Sequence, residues 1–245
     1  MVIESIDNKK IKELRKLKTK KYRDEEKKFL VEGIHLVKEA YDSGSLIEVL
    51  LLEGDDIDFN ANVTYVSESV MKSLSDLETP YNIIGICNYP KEKEIGNKVL
   101  MLDEIQDPGN LGTIIRSSVA FNVDTVVLSE NSVDLYNPKT IRSTQGMFFH
   151  INVIRKNLLD VIDELKKKEI PIYGTLVEHG EDVRELSSKD KEKYALVVGN
   201  EGNGVRREIS EKCDKNLYIN LNSDVESLNV GVACSILLYE LDRNE

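Results

Sequence analysis

Three short segments carry polar residues that local structure alone does not account for. In Asp107-Pro108-Gly109-Asn110-Leu111-Gly112, Pro108 and Gly109 break a preceding strand, and Asp107 or Asn110 can cap the helix that follows. Leu111, Ile114, Ile115 and Val119 then form an apolar stripe at helical spacing, which leaves Arg116 off the stripe, toward the loops or solvent. Gly199-Asn200-Glu201-Gly202-Asn203-Gly204 follows an apolar strand, where missing side chains let the backbone approach a ligand closely. It lacks the Gly-Lys-Ser/Thr end of a phosphate loop, and its glycines are not spaced as in the dinucleotide fingerprint. Ser227 and Asn229 stand at the mouth of a long apolar helix; N-capping explains the serine fully and the asparagine less well.

Metal and thiol chemistry find no support. Cys87, Cys213 and Cys234 are far apart and read as small buried apolar residues, an odd count that suits a reducing compartment. His35, His150 and His179 are equally scattered, so no metal site is expected.

The elements that must position these segments form a strand and helix alternation. Residues 98 onward read as KVLMLDE, a helix over LGTIIRSSVAF, DTVVLSE, a helix after Asn137-Pro138, PIYGTLV, ALVVGNEG, NLYINL and a final helix over LNVGVACSILLYEL. Such alternation implies an α/β fold with a parallel sheet covered on both faces, whose ligands sit at the carboxyl ends of the strands. Residues 1–95 read as a smaller α/β unit: a basic helix near 8–22, FLVEG, a helix near 34–43, the strands IEVLLLEG, VTYVS and NIIGICNY, and a short helix opened by Ser67 or Glu68. YPKEKEIGNK at 89–98 is the linker, giving an N-terminal domain over 1–95 and a C-terminal domain over 96–245.

Hydrophobic residues at 40% and charged residues at 31%, without low-complexity tracts, indicate a globular protein. No apolar run of about 18 residues could span a bilayer and the start has no signal-peptide core, so a cytoplasmic location is expected. The net charge of −11 is unfavourable for binding nucleic acid, yet it is unevenly spread. Residues 1–30 hold eleven Lys or Arg against six acids, a net of +5, which leaves −16 on the rest. Lys9, Lys10, Arg15, Lys20, Lys21 and Arg23 on this segment are candidate phosphate contacts, with Tyr22 a possible stacking surface; a solvated amphipathic helix is the alternative.

In order, spacing and placement after strands, DPGNLGTIIRSS, VVGNEGNGV and INLNSDVESLNVGVACSILLYE resemble the three motifs of the SpoU or TrmH-type RNA 2′-O-methyltransferases of the SPOUT superfamily, over about residues 98–245. The resemblance implies a trefoil-knotted catalytic domain that binds S-adenosylmethionine, a homodimer with each active site completed across the interface, and an RNA substrate. It implies catalytic roles for Asn110, Arg116, Glu201, Ser227 and Asn229, and cofactor contacts at Gly199, Ile219 and Leu228, with Gly174 and Thr175 as further candidates. Residues 1–95 are similar in pattern to the L30e-like substrate-binding domain often found in front, which favours ribosomal RNA, of the large subunit, over transfer RNA. Family accounts often give the position of Arg116 the base role; a guanidinium is better suited to hold the phosphate beside the target ribose. Gly109 stands where many members carry His or Gln, which bears on branch and substrate. Two other readings compete: a catalytically silent RNA-binding protein of this fold, or a transfer RNA methyltransferase. An ordinary nucleotide-binding oxidoreductase is disfavoured by the missing fingerprint.

Overall fold

The computed structural model describes residues 2–176 and 180–243; His179 lies outside them. The chain opens with β1 (Val2–Ile3) and α1 (Lys9–Lys16), where the Asn8 side chain accepts from the Lys10 backbone N–H at 2.9 Å. Extended backbone at Thr19 ends that run, so the basic helix expected over 8–22 is two helices, α1 and α2 (Lys20–Glu26). There follow β2 (Lys28–Glu32), α3 (Ile34–Asp42), β3 (Leu46–Leu52), β4 (Val63–Val66), α4 (Glu68–Leu74) with Ser67 as its cap, and β5 (Ile83–Asn88).

The second run comprises β6 (Lys98–Leu102), α5 (Pro108–Ala120), β7 (Thr125–Leu128), α6 (Pro138–Thr144), β8 (Asn152–Arg155), α7 (Leu158–Lys167), β9 (Ile172–Thr175), β10 (Glu181–Asp182), α8 (Ser188–Glu192), β11 (Tyr194–Val198), α9 (Arg207–Ser210), β12 (Lys215–Tyr218) and α10 (Val230–Asp242). The strand β8 and the helix α7 were not foreseen from the pattern, although Leu158, Val161, Ile162 and Leu165 are buried at helical spacing.

Two compact units emerge. One comprises the chain up to Lys91 together with Asp134–Phe149; the other comprises Glu92–Val133 and the chain from His150 onward. The first holds a five-stranded sheet in the order β1-β4-β3-β5-β2, parallel at β1/β4 and β3/β4 and antiparallel at β5. On this sheet α1 and α4 bury Ile11, Leu14, Val70, Met71 and Leu74 against Leu50, Val66, Ile84 and Ile86. Because Ile11, Leu14 and Leu17 belong to this core, the basic segment is a structural part of its unit and not a detachable arm. The stretch 134–149 joins the same unit through aromatic packing: the Phe29 ring lies 4.8 Å from Tyr136 and 5.8 Å from Phe148, and Tyr89 stacks on Tyr136 at 3.8 Å.

The second unit is the α/β domain with the parallel sheet. Its seven strands, in the order β10-β12-β9-β11-β6-β7-β8, pair in parallel throughout. The interior strands β7 and β11 are buried at every position, as expected of a sheet covered on both faces. All strands therefore point their carboxyl ends the same way, and the loops after β6, β9, β11 and β12 emerge at one edge.

Arg23 corrects an expectation. It is buried, donates to the Leu17 carbonyl at 2.8 Å and pairs with Asp134, so its guanidinium is not available to a phosphate. Removing the carboxylate leaves a buried cation without its partner. Asp134→Ala is therefore expected to destabilise the first unit by about 3 kcal/mol, read as a lowered urea midpoint, whereas an exposed pair would cost under about 1 kcal/mol.

Candidate active site

The loops that the parallel sheet gathers at its carboxyl edge enclose a cavity of about 240 Å³, lined by Thr175, Gly199, Glu201, Ile219, Ser227 and Leu228 among others. Leu217, Ala233 and Leu237 give its lining an apolar part. Glu201 is the one formally charged side chain among the described residues of the lining, and no Lys or Arg lines it.

Beside the cavity runs a chain of hydrogen bonds. The Asn229 amide donates to Asn110 Oδ1 at 2.9 Å, and the Asn110 amide donates to Glu201 Oε1 at 3.0 Å. Each member is placed by local rules. Asp107, rather than Asn110, is the cap of α5, accepting from the Asn110 backbone N–H at 2.9 Å; this frees the Asn110 side chain to reach across. Asn229 caps α10, its Oδ1 accepting from the N–H groups of Gly231 at 2.9 Å and Val232 at 3.3 Å. Ser227, expected to be that cap, lies two residues earlier and lines the cavity instead. Gly231 lets α10 approach α5 closely, since a Cβ there would stand 3.2 Å from Thr113 Cγ2. The Ser117 and Ser235 hydroxyls, 2.6 Å apart, hold the same two helices together.

Glu201 also accepts from the backbone N–H groups of Gln106 at 3.4 Å and Asp107 at 3.3 Å. Desolvation by the surrounding loops works against its charge. The donors from Asn110 and from the backbone of Glu201, Asp107 and Gln106 outweigh it and hold the carboxyl below its ordinary value of 4.5.

The glycine loop is folded tightly on itself. Asn200 and Gly204 exchange backbone hydrogen bonds at 3.0 and 2.9 Å, and a Cβ on Gly199 would collide with the backbone of Gly204 and Val205. Three residues without a place in the sequence motifs' expected roles pin it. Asn200 donates to the Glu104 carbonyl at 2.9 Å, while Arg206 gives both its backbone N–H and its Nε to the fully buried Asp103, at 2.9 and 2.8 Å. An asparagine opening a glycine turn is a recognisable signal; the distant Asp103–Arg206 pairing has none.

Two expected residues fall elsewhere. Arg116, farther along α5, is exposed and has no hydrogen-bond or ion-pair partner among the described residues, so it does not join the Asn229–Asn110–Glu201 chain. Gly174 does not line the cavity; a Cβ there would collide with the Asn216 side-chain oxygen, so the glycine permits β9 and β12 to pack, while Thr175 next to it does line the cavity. Among the described residues no group of three or more His, Cys, Asp or Glu could hold a metal ion.

Residues 97–239 match the SpoU rRNA Methylase family, and residues 8–85 match the MRM3-like substrate binding domain. The chain is 43% identical over 245 residues, 98% of each protein, to the 23S rRNA (guanosine(2553)-2′-O)-methyltransferase RlmP of Bacillus subtilis (strain 168). Its fold is similar to the AdoMet-bound rRNA methyltransferase from Sinorhizobium meliloti, with a TM-score of 0.85 and 28% identity, covering 98% of this chain and 97% of that one. A solved RNA 2′-O ribose methyltransferase matches with a TM-score of 0.81 and 30% identity over 98% of both chains.

A depressed carboxyl stabilises the fold above its unfolded value and loses that contribution only as pH falls through the lower folded value. Carbon-detected titration of Glu201 should therefore give a midpoint below 4.5, and Asn110→Ala should move it upward; a midpoint unchanged by that substitution would mean the amide contributes nothing.

Proposed function

Because the chain belongs to the SpoU rRNA methylase family, we propose that it transfers the methyl group of S-adenosylmethionine to the ribose 2′-hydroxyl of large-subunit ribosomal RNA, at a guanosine. The observation that carries the site assignment is the Asn229–Asn110–Glu201 chain standing beside a cavity whose only formal charge, among the described residues, is a carboxylate. The residues present fit the cofactor: apolar lining residues suit an adenine ring, loop backbone at Gly199, Ile219 and Leu228 supplies hydrogen-bonding groups, and the absence of lysine and arginine from the described lining tolerates a cation. When bound, S-adenosylmethionine would supply an electrophilic methyl on a sulfonium and leave as the neutral thioether, with the proton of the ribose hydroxyl passing to solvent.

The chain's own residues then have to position the hydroxyl, hold the flanking phosphate and keep the loops in place. Ser227 on the cavity wall and Asn229 at the start of α10 orient the hydroxyl and the loop. Glu201 fixes Asn110, and Asn110 in turn fixes Asn229, so each amide is presented in one orientation. Arg116 takes the phosphate beside the target ribose: a guanidinium offers five donors and no acceptor, and this one has no other partner among the described residues.

The finer reading follows family kinship. We infer a trefoil knot at the C-terminal segment, a homodimer and a cytoplasmic location. Val232 and Tyr239, 47% and 51% exposed and two turns apart on α10, support a self-association face. For RNA, Lys9 and Lys20 are exposed and available to phosphates, and Lys21 is exposed with only a 4.0 Å surface pairing to Glu25, whereas Lys10 is engaged by Glu48 and Thr64, and Arg15 donates to the Ile6 carbonyl at 2.6 Å.

Incubated with labelled cofactor and unmodified total RNA, the protein should label large-subunit ribosomal RNA alone. Asn110→Ala and Arg116→Ala should each lower turnover by about a hundredfold, the scale of lost transition-state positioning; cofactor binding with no label in any RNA would favour the silent RNA-binding reading. Replacing Lys9, Lys20 and Lys21 together with Gln should flatten the slope of log affinity against log salt by about 2 to 3, at about 0.7–0.9 for each phosphate no longer neutralised. An unchanged slope, measured by filter binding, would return these lysines to a solvated surface.

A further inference from the structure

The first unit carries a recess that the methyl-transfer site does not use. Gly33 ends β2 with φ +92°, a left-handed conformation that favours glycine, and a Cβ there would stand 3.5 Å from three carbons of the Tyr81 ring. Tyr81 therefore rests against a bare glycine, and it is still 52% exposed, as the neighbouring Ile34 is 54% exposed. Among the described residues Tyr81 makes no ring stack, no cation–π contact and no side-chain hydrogen bond. Beside the two residues opens a recess of about 720 Å³, walled by Pro80, Asp55 and Asn82. The Asn82 amide donates to Asp55 Oδ2 at 2.9 Å, which orients both groups and leaves the Asn82 carbonyl and the other Asp55 oxygen as acceptors.

We propose that this recess takes one unpaired nucleobase of the RNA substrate, stacked on Tyr81 and read at its edge by Asp55 and Asn82. An aromatic ring held on one side by a backbone offers a flat platform to a second flat ring, and unpaired bases are the groups that RNA presents this way. The Asn82 carbonyl and the free Asp55 oxygen favour a base edge that presents N–H groups; guanine, with its ring N–H beside its amino group and an adjoining carbonyl for the second Asn82 N–H, fits best. Asp55 and Asp56, which both line the recess, repel a phosphate, so the sugar–phosphate backbone passes outside it. A cationic side chain would also satisfy a ring and a carboxylate. The occupant is RNA because the whole recess falls within residues 8–85, the stretch that matches a substrate-binding domain. The proposal rests on the reading of RNA as the substrate.

The test is direct binding to a full-length unmodified 23S rRNA transcript by filter retention, with cofactor affinity and thermal unfolding measured alongside. Tyr81→Ala should weaken RNA binding about tenfold, the size of one base–aromatic stack, and leave cofactor affinity and the unfolding midpoint unchanged. Tyr81→Phe should bind as the parent does, and Asp55→Ala should weaken RNA binding in the same direction. Parental RNA affinity in Tyr81→Ala overturns the proposal. So does parental RNA affinity accompanied by lost binding of an arginine-rich peptide, which would assign the recess to a protein. Because RNA binding is read without catalysis, a failure of methyl transfer by the parent protein would count against the enzymatic reading and not against this one.

Discussion

A single carboxylate joins loops that leave three different strands. Glu201, on the loop after β11, collects the backbone donors of Gln106 and Asp107 from the loop after β6, and the amide of Asn110 at the start of α5. Asn110 passes the constraint to Asn229, and so to the first turn of α10 beyond β12. A carboxylate accepts only, and an amide both donates and accepts, so the chain has one self-consistent orientation. That direction matters for catalysis by positioning, where small displacements of an aligned group are costly. It also explains why the carboxyl stays ionised although its surroundings desolvate it.

Such a network needs rigid anchors, and the parallel sheet provides them. The strands β6 and β11 are hydrogen-bonded neighbours, with Leu102 opposite Val198, so the two loops that meet at Glu201 start side by side. Immediately beyond, the buried Asp103 takes two donors from Arg206, which fastens the far end of the glycine loop to the strand where the first loop begins. Asn200 fastens its near end to Glu104. Burying a carboxylate is unfavourable unless it is paired and hydrogen-bonded, and this one is both. The loop is held at each end while its middle faces the cavity.

Much of this was legible in the residues. Strand and helix alternation gave the parallel sheet, and Ser67 marked the start of α4 by simple capping rules. Asn110, Glu201, Ser227 and Asn229 fell together because each motif follows a strand, and all strands of a parallel sheet end at the same edge, whereas Arg116 stands farther along α5. Other features were hidden for physical reasons. Which of two polar residues caps a helix depends on distant partners: Asp107 caps α5 because Asn110 is needed by Glu201, and Asn229 serves both as cap and as relay. Gly174, a further cofactor candidate by resemblance, leaves room for the Asn216 side chain on the neighbouring strand, a packing need that no local pattern shows. The grouping of 134–149 with the first unit depends on Phe29 meeting Tyr136 and Phe148, residues about a hundred positions away that no local pattern connects.

The acidic net charge then finds a physical resolution. Phosphate binding needs local positive potential, not a positive sum, because salt screens charges beyond about 10 Å. Within the first unit the basic residues divide by task. Arg23 is committed to Asp134, Lys10 to Glu48, and Arg15 to the Ile6 carbonyl, while Lys9, Lys20 and Lys21 stay exposed at the starts of α1 and α2. The charges engaged in folding order this segment, and ordering the segment is what holds the exposed lysines in a fixed array. On the proposed reading, a surface built this way would gain its specificity from shape and from a few fixed contacts.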